Sequence, residues 1–288
     1  MPEATAQPAV TWSAIEQARR RVQPRVPLWV GGVEAGSVAR EHLDALRPFA
    51  PELLLADDGV TLAVPADRRD AVLARVNAAL RAQGLILAWR DETYPLPDPA
   101  SGRVLATFER ASSRFWGTLT YGAHCSGWVA ASDGGVAGLW VAQRSFSKAT
   151  DPGAFDNLVG GGVPHGQTPF ETLLREGWEE AGLTPEVMRR ATAGRVIELC
   201  RDIPEGLQFE HIHSFDLALR HDERPINQDG EVHAFTLHAP AAALALAAGT
   251  QMTADAALVT LDFALRRQLL PDTEAAALAA RSAPLWQA

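Results

Sequence analysis

The sequence predicts an α/β (α+β) protein built as two modules, on three observations. The chain has 288 residues, more than one domain usually holds. Its first third mixes short β-rich runs with an amphipathic helical stretch. Its remainder has longer β-rich runs around a glycine-rich loop that opens into a helix crowded with carboxylates. The expected divisions are a flexible start over 1–24, an α+β module over 25–110, a larger module over 111–270 and a helical tail over 271–288.

In chain order, PLWVGGVEAGSVA reads as two short strands around Gly31 and Gly32, followed by helix and strand material in EHLDALRPFAPELLLADDGVTLAV. In ADRRDAVLARVNAALRAQGL, Ala71, Val72, Val76, Ala79 and Leu80 fall at helical spacing, and Gly84 is the expected stop. TYPLPDPASGR, rich in Pro, Gly and Ser, is the expected boundary, with the division between about 97 and 115. Beyond it TLTYGAHCSGWVAA and GLWVAQRS form a hairpin about the turn SDGG. Residues 168–182 are a helix, and GRVIELCRDI, FEHIHSFDLAL and EVHAFTL are further strands. Two Ala- and Leu-rich helices close the chain.

Composition narrows the function classes. Hydrophobic residues make up 47% and charged ones 21%, and no apolar run reaches the roughly eighteen residues of a membrane span, so no membrane partner is expected. A formal charge of −9 disfavours a nucleic-acid footprint, which needs clustered cations. Two cysteines, Cys125 and Cys200, supply neither a disulfide framework nor a four-ligand zinc site. The N-terminus lacks the order of a secretory signal, which makes the cytoplasm the default expectation.

The chemistry is concentrated in GGGVPHGQTPFETLLREGWEEAGL, residues 160–183. Thr168 or Gln167 can begin the helix, Pro169 suits its first turn and Gly182 closes it. Glu176 and Glu180 are one turn apart and Glu179 is three residues from Glu176, so all three can project to one side. Like charges so placed repel, and a hard cation that prefers oxygen ligands, Mg²⁺ or alternatively Mn²⁺, offsets the repulsion. The bland alternative is a solvated acidic face. The apolar residues around the acids, and the glycines whose backbone can approach a metal and a phosphate closely, favour the metal.

This run resembles the Nudix box, a glycine, five residues, a glutamate, seven residues, then Arg-Glu-apolar-x-Glu-Glu-x-Gly-apolar. Gly161, Arg175, Glu176, Glu179, Glu180, Gly182 and Leu183 match it, while Gln167 stands where the motif has its first glutamate and Gly177 where an apolar residue is usual. Glu171, four residues before Arg175, is the expected substitute partner for that arginine. AQRSFSKATDPGAFDNLVGGGVPHG, DGEVHAF and a first module ending in WRDETYPL are similar to the Nudix proteins related to thiamine pyrophosphokinase, over about residues 25–270. The resemblance implies an α/β/α sandwich with a mixed sheet after a smaller α+β domain. It also implies hydrolysis of thiamine diphosphate, with a preference for oxidised, damaged forms, to the monophosphate, which is a metabolite-repair role.

The candidate metal ligands are therefore Glu176, Glu179 and Glu180, with the Gly161 carbonyl added as the family implies, and Glu176 is the first candidate to orient or deprotonate water. Glu231 is an outer ligand or base, or else a surface hairpin acid. Arg144 and Lys148, with the backbone of Gly161 and Gly162, are candidate diphosphate binders, the cations being alternatively ordinary strand-end charges. Asp156 and Asn157 orient the loop or simply turn it. Trp116, Trp128, Tyr121 and His124 either stack on a heteroaromatic ring or belong to the core. His165, His211 and His213 receive no role. Three rivals remain: a nucleoside-diphosphate substrate, isomerisation of a prenyl diphosphate using Cys125, and a non-catalytic binding module. The expected partner is a small-molecule diphosphate. The first module covers the substrate or mediates a homodimer.

Overall fold

The computed structural model describes residues 11–287 apart from 149. Helix α1 (Ser13–Gln17) leads into a small sheet formed by β1 (Arg25–Val30), β2 (Val33–Ala39), β3 (Leu53–Ala56) and β4 (Gly59–Leu62), in the order β2-β1-β4-β3. Helix α2 (Leu43–Leu46) lies between β2 and β3, and α3 (Arg69–Ala82) follows β4. Val72, Leu73, Val76 and Leu80 of α3 are buried, so Leu73 takes the core position expected of Ala71, which is exposed. Gly84 ends this segment in the left-handed region, φ +74°, as expected.

Strands β5 (Thr93–Pro97) and β6 (Val104–Glu109) pair antiparallel. The Pro- and Gly-rich stretch expected as a boundary is therefore largely a hairpin, with Asp98 organising its turn by accepting from Ala100 N and Ser101 Oγ. Tyr94 and Leu96 are buried, which explains why this strand tolerates two prolines without behaving as a linker.

After α4 (Ser112–Trp116) comes the larger sheet: β7 (Leu119–Ala130), β8 (Val136–Arg144), β9 (Phe155–Asp156), β10 (Val159–Gly162), β11 (Thr192–Ile203), β12 (Gly206–Leu219) and β13 (Val232–His238). Among the described residues these seven strands form one sheet in the order β11-β12-β7-β8-β13, with β10 joined to β7 and β9 to β8. The sheet is mixed, because β12 and β7 run parallel while the other pairs are antiparallel. One edge of β7 is shared. Gly122–Cys125 pair with β10, and Gly127–Ala130 pair with β8. At the changeover a Cβ on Gly127 would run into Leu158, so glycine is what lets the chain between β9 and β10 cross there.

Side-chain alternation gives the sheet two apolar faces. Ala123, Cys125, Phe215 and Leu217 pack with Leu173, Ala181 and Met188 of α5 (Pro169–Ala181) and α6 (Pro185–Met188). Trp128, Leu139, Ile197 and Ile212 pack with α7 (Pro240–Ala248), α8 (Ala254–Arg266) and α9 (Asp272–Ser282). This is the α/β/α arrangement with a smaller α+β region before it. A third terminal helix, α9, joins the two expected, and Leu278 and Leu285 anchor the chain end in the core.

The expected flexible start needs correcting where it is described; residues 1–10 lie outside the described residues. Trp12 is 1% exposed against α8, its indole N–H donating to Ala257 O at 3.2 Å, and Ala14 and Ala18 are buried beside it. Residues 18–23 then run along β11, where Cys200 N donates to Ala18 O and Asp202 accepts from Val22 N and Gln23 N. A polar composition hid a single aromatic anchor. Trp12→Phe, which removes one buried hydrogen bond and part of the ring, is expected to lower unfolding free energy by about 1–2 kcal/mol in a urea titration. An unchanged midpoint would mean that the segment does not contribute to folding stability.

Candidate active site

Helix α5 carries its signals at both ends. Thr168 is the N-cap and shares a capping box with Glu171, Pro169 occupies the first turn, and Gly182 closes the helix at φ +63°. Glu171 is therefore spent on the cap and does not pair with Arg175 as expected. Gln167 takes that place, its Oε1 accepting from Arg175 Nε at 3.4 Å and from Thr172 Oγ1 at 3.0 Å. A neutral amide thus orients the arginine where the motif uses a glutamate. Gly177, the second departure from the motif, makes room for Met188, since a Cβ there would meet its side chain at 2.7 Å.

The helix lies against β10 and delivers two acids to it. Glu180 is 8% exposed, and its Oε2 accepts from Gly160 N at 3.1 Å. The Glu176 carboxyl lies so close to Gly161 that a Cβ on that glycine would sit 2.5 Å from Oε1. Glu179 stands farther out, 43% exposed. Arg175 bridges it at 2.6 Å to Glu176 at 2.7 Å. Among the described residues no three Asp, Glu, His or Cys side chains are gathered in a ligand arrangement. The structure thus brings two of the three helix acids to the glycine strand, while the third is turned aside by Arg175.

Electrostatics mark these acids as strained. Burial, with the nearby Glu176 and Asp156 charges, pushes the Glu180 carboxyl well above the usual carboxylate range, against the pull of Gly160 N–H and Lys148. Burial likewise raises Glu176, although Arg175 opposes it. Two desolvated carboxylates side by side make an oxygen donor pair, which fits a hard divalent cation.

Glu231 reaches the same place from the turn before β13. It lines a small recess with Glu180, Arg144, Lys148, Asp156 and Gly160, and it is paired with Lys148. Burial works against its charge, but the Lys148 ammonium together with Arg90 and Arg110 holds its carboxyl below the usual range. Arg144 is also engaged, its Nη1 donating to Asp156 Oδ2 at 2.9 Å. Asp156 and Asn157 do orient the loop. Asp156 accepts from Asn157 N, and Asn157 contacts His124 Nδ1 at 3.1 Å and donates to Ala256 O and Thr260 Oγ1.

Adjoining the glycine strand is a cavity of about 380 Å³, lined by Arg90, Tyr94, Arg110, Arg114, His124, Arg144, Gly160, Gly161, Gly162, Gln208, Glu210 and Asp255 among others. Several of these come from the first module, and sequence reasoning missed them. Arg110 pairs with Glu92 at 2.9 Å, lies over the Tyr94 ring and is 3.2 Å from where a Cβ on Gly162 would be. No motif announces them; the only hint is that WRDETYPL stands out as a unit. Of the aromatic candidates, Trp116 is fully buried, donating to Asn77, and Trp128 packs on Phe263, so both are core. His124 lines the cavity.

The NUDIX domain matches residues 123–257, and a domain of unknown function, DUF4743, matches residues 10–120. Nudix hydrolase 24, chloroplastic, of Arabidopsis thaliana is 34% identical over 85% of this chain and 68% of its own length. Nudix hydrolase 20, chloroplastic, of the same plant is 36% identical over 70% of this chain, which spans only 54% of that relative's length. A crystal structure from Deinococcus radiodurans, 23% identical, covers 60% of this chain and 99% of its own with a TM-score of 0.45.

Proposed function

Because the chain belongs to the Nudix hydrolase family, we propose that it hydrolyses the phosphoanhydride of a small organic diphosphate with Mg²⁺ or Mn²⁺, and that the substrate is thiamine diphosphate or an oxidised form of it. The observation that carries the hydrolytic reading is the pair of helix acids, buried Glu180 and largely buried Glu176, pressed against a glycine strand that walls an arginine-lined cavity. The substrate identity rests on the resemblance noted above.

Glu176, Glu180 and the Gly161 carbonyl would hold the cation, with Glu179 joining when it leaves Arg175. Bound there, the metal supplies charge neutralisation for the diphosphate and a more acidic water. The protein's own groups supply the remainder. Gly160–Gly162 present a side-chain-free edge along which phosphate oxygens can approach the backbone. Arg110, beside Gly162, can donate to a phosphate oxygen, while Arg144, its Nη atoms held by Asp156 and Thr150, adds positive charge beside the strand. Lys148 keeps Glu231 ionised and able to hold the attacking water by a hydrogen bond, while Glu176, whose carboxyl burial raises, is the better acceptor of its proton.

Of the rivals, isomerisation through Cys125 is disfavoured. That thiol is fully buried in the core between α5 and the sheet, and burial raises its pKa far from thiolate formation. A panel of diphosphates incubated with the purified protein and Mg²⁺ tests the proposal. Phosphate is expected from thiamine diphosphate and its oxidised forms, with loss of the rate on chelation. Turnover confined to nucleoside-diphosphate-linked compounds would replace the substrate, and phosphate release from none would reject hydrolysis.

A further inference from the structure

Five arginines line the cavity: Arg90, Arg110, Arg114, Arg144 and Arg201. Four are engaged. Arg110 is paired with Glu92 at 2.9 Å, Arg114 with Glu210 at 3.1 Å and Arg144 with Asp156 at 2.9 Å, while Arg201 Nε donates to Gln208 Oε1 at 2.9 Å. Among the described residues the Arg90 guanidinium, alone of the five, has no hydrogen bond, ion pair or ring contact.

The backbone that carries Arg90 is held in a costly shape. Ala88 and Asp91 both lie in the left-handed region, at φ +55° and +59°, where an L side chain is crowded. Such conformations persist only where the surroundings impose them. Here Glu109 accepts from Arg90 N at 2.9 Å and from Glu92 N at 3.0 Å, and Trp89 is pinned by donating to Asp91 Oδ1 at 2.7 Å with Arg81 over its ring at 4.6 Å. The segment is thus fixed on both sides of Arg90, which stands exposed at the cavity wall. Its charge is one of those that hold the Glu231 carboxyl below the usual range, so it is felt in the recess that Glu231 shares with Glu180 and Lys148.

We propose that Arg90 is a contact of the first module with the substrate, and that it binds the terminal phosphate of a diphosphate whose other end carries the organic group. This deepens the diphosphate-hydrolase reading and rests on it, because Glu231 would hold the attacking water at the phosphate that leaves. A terminal phosphate has a second ionisable oxygen that a doubly esterified phosphate lacks. A guanidinium with no other partner can make two parallel hydrogen bonds to it, and the Coulomb attraction is about twice that for a monoanion. The four paired arginines already share their charge with the protein's own groups. Arg90 therefore selects diphosphates with a free end over those linked on both sides, as in sugar nucleotides.

The test is calorimetric binding without divalent cation, with methylenediphosphonate as a non-hydrolysable diphosphate and its symmetrical dimethyl ester, one methyl on each phosphorus, as the doubly substituted comparison. Wild-type protein is expected to bind the free diphosphonate about tenfold more tightly than the ester. Arg90→Ala is expected to lose about tenfold for the diphosphonate and less than about threefold for the ester. The position is exposed, so the variant keeps its fold. Arg103→Ala, which removes an exposed cation outside the cavity lining, is expected to bind both ligands as the wild type does. Equal losses for the two ligands in Arg90→Ala, the same losses in Arg103→Ala, no loss, or no preference in the wild type would overturn the proposal. Phosphate release from thiamine diphosphate is scored separately. If none is released while Arg90 still selects the free end, the hydrolase reading falls and this binding site stands.

Discussion

Glu180→Gln is expected to lower phosphate release by about 10³-fold, because a metal's share of transition-state charge stabilisation amounts to several kcal/mol and each 1.36 kcal/mol is about tenfold in rate. The amide keeps the size of the side chain and can still accept from Gly160 N, so the fold is not the victim. Metal-free stability is expected to move the other way. Glu180 has a folded pKa above its unfolded value, so its contribution to stability is fully present below the unfolded pKa and is lost as pH rises through the folded one. As pH rises through that interval the wild type therefore loses stability that the glutamine variant, with no group to ionise, keeps. A lower thermal midpoint for the metal-free variant would contradict this origin of the strain.

Gly161→Ala is expected to lower activity by about 10²-fold with little change in secondary structure. The new methyl would stand 2.5 to 2.7 Å from three atoms of the Glu176 side chain, so that carboxyl must swing away from the strand. Displacement of a catalytic group by about an ångström is enough for a loss of that size. Gly166→Ala makes the comparison, since its Cβ meets nothing within 4 Å, although its φ of +86° costs some stability. A Gly161→Ala enzyme with wild-type turnover would separate the strand from the chemistry.

What the sequence made legible was local. The caps of α5, the turn of the β7–β8 hairpin and the alternating strands each announce themselves within a dozen residues, and the structure follows them. The helix acids were legible for the same reason, though not the detour of Glu179 to Arg175, which depends on rotamer competition. Glu171 was misassigned because its four-residue spacing from Arg175 competes with a capping box three residues back, and the cap satisfies two backbone donors at once. Trp12 and the β5–β6 hairpin were misjudged on composition, since polar or proline-rich surroundings conceal a buried anchor. Arg90, Arg110, Glu210 and Asp255 were out of reach. They are scattered over more than half the chain and meet only because the first module packs against the open end of the sheet.

The proposed grip of Glu176 and Glu180 on a divalent cation is read most directly by Mn²⁺ titration, followed by the electron paramagnetic resonance of the free ion. Wild-type protein is expected to take up the ion with an affinity that falls about 100-fold in Glu180→Gln, since oxygen-ligand sites are tuned by their carboxylate count. Equal uptake by both proteins would show that the cation is held elsewhere.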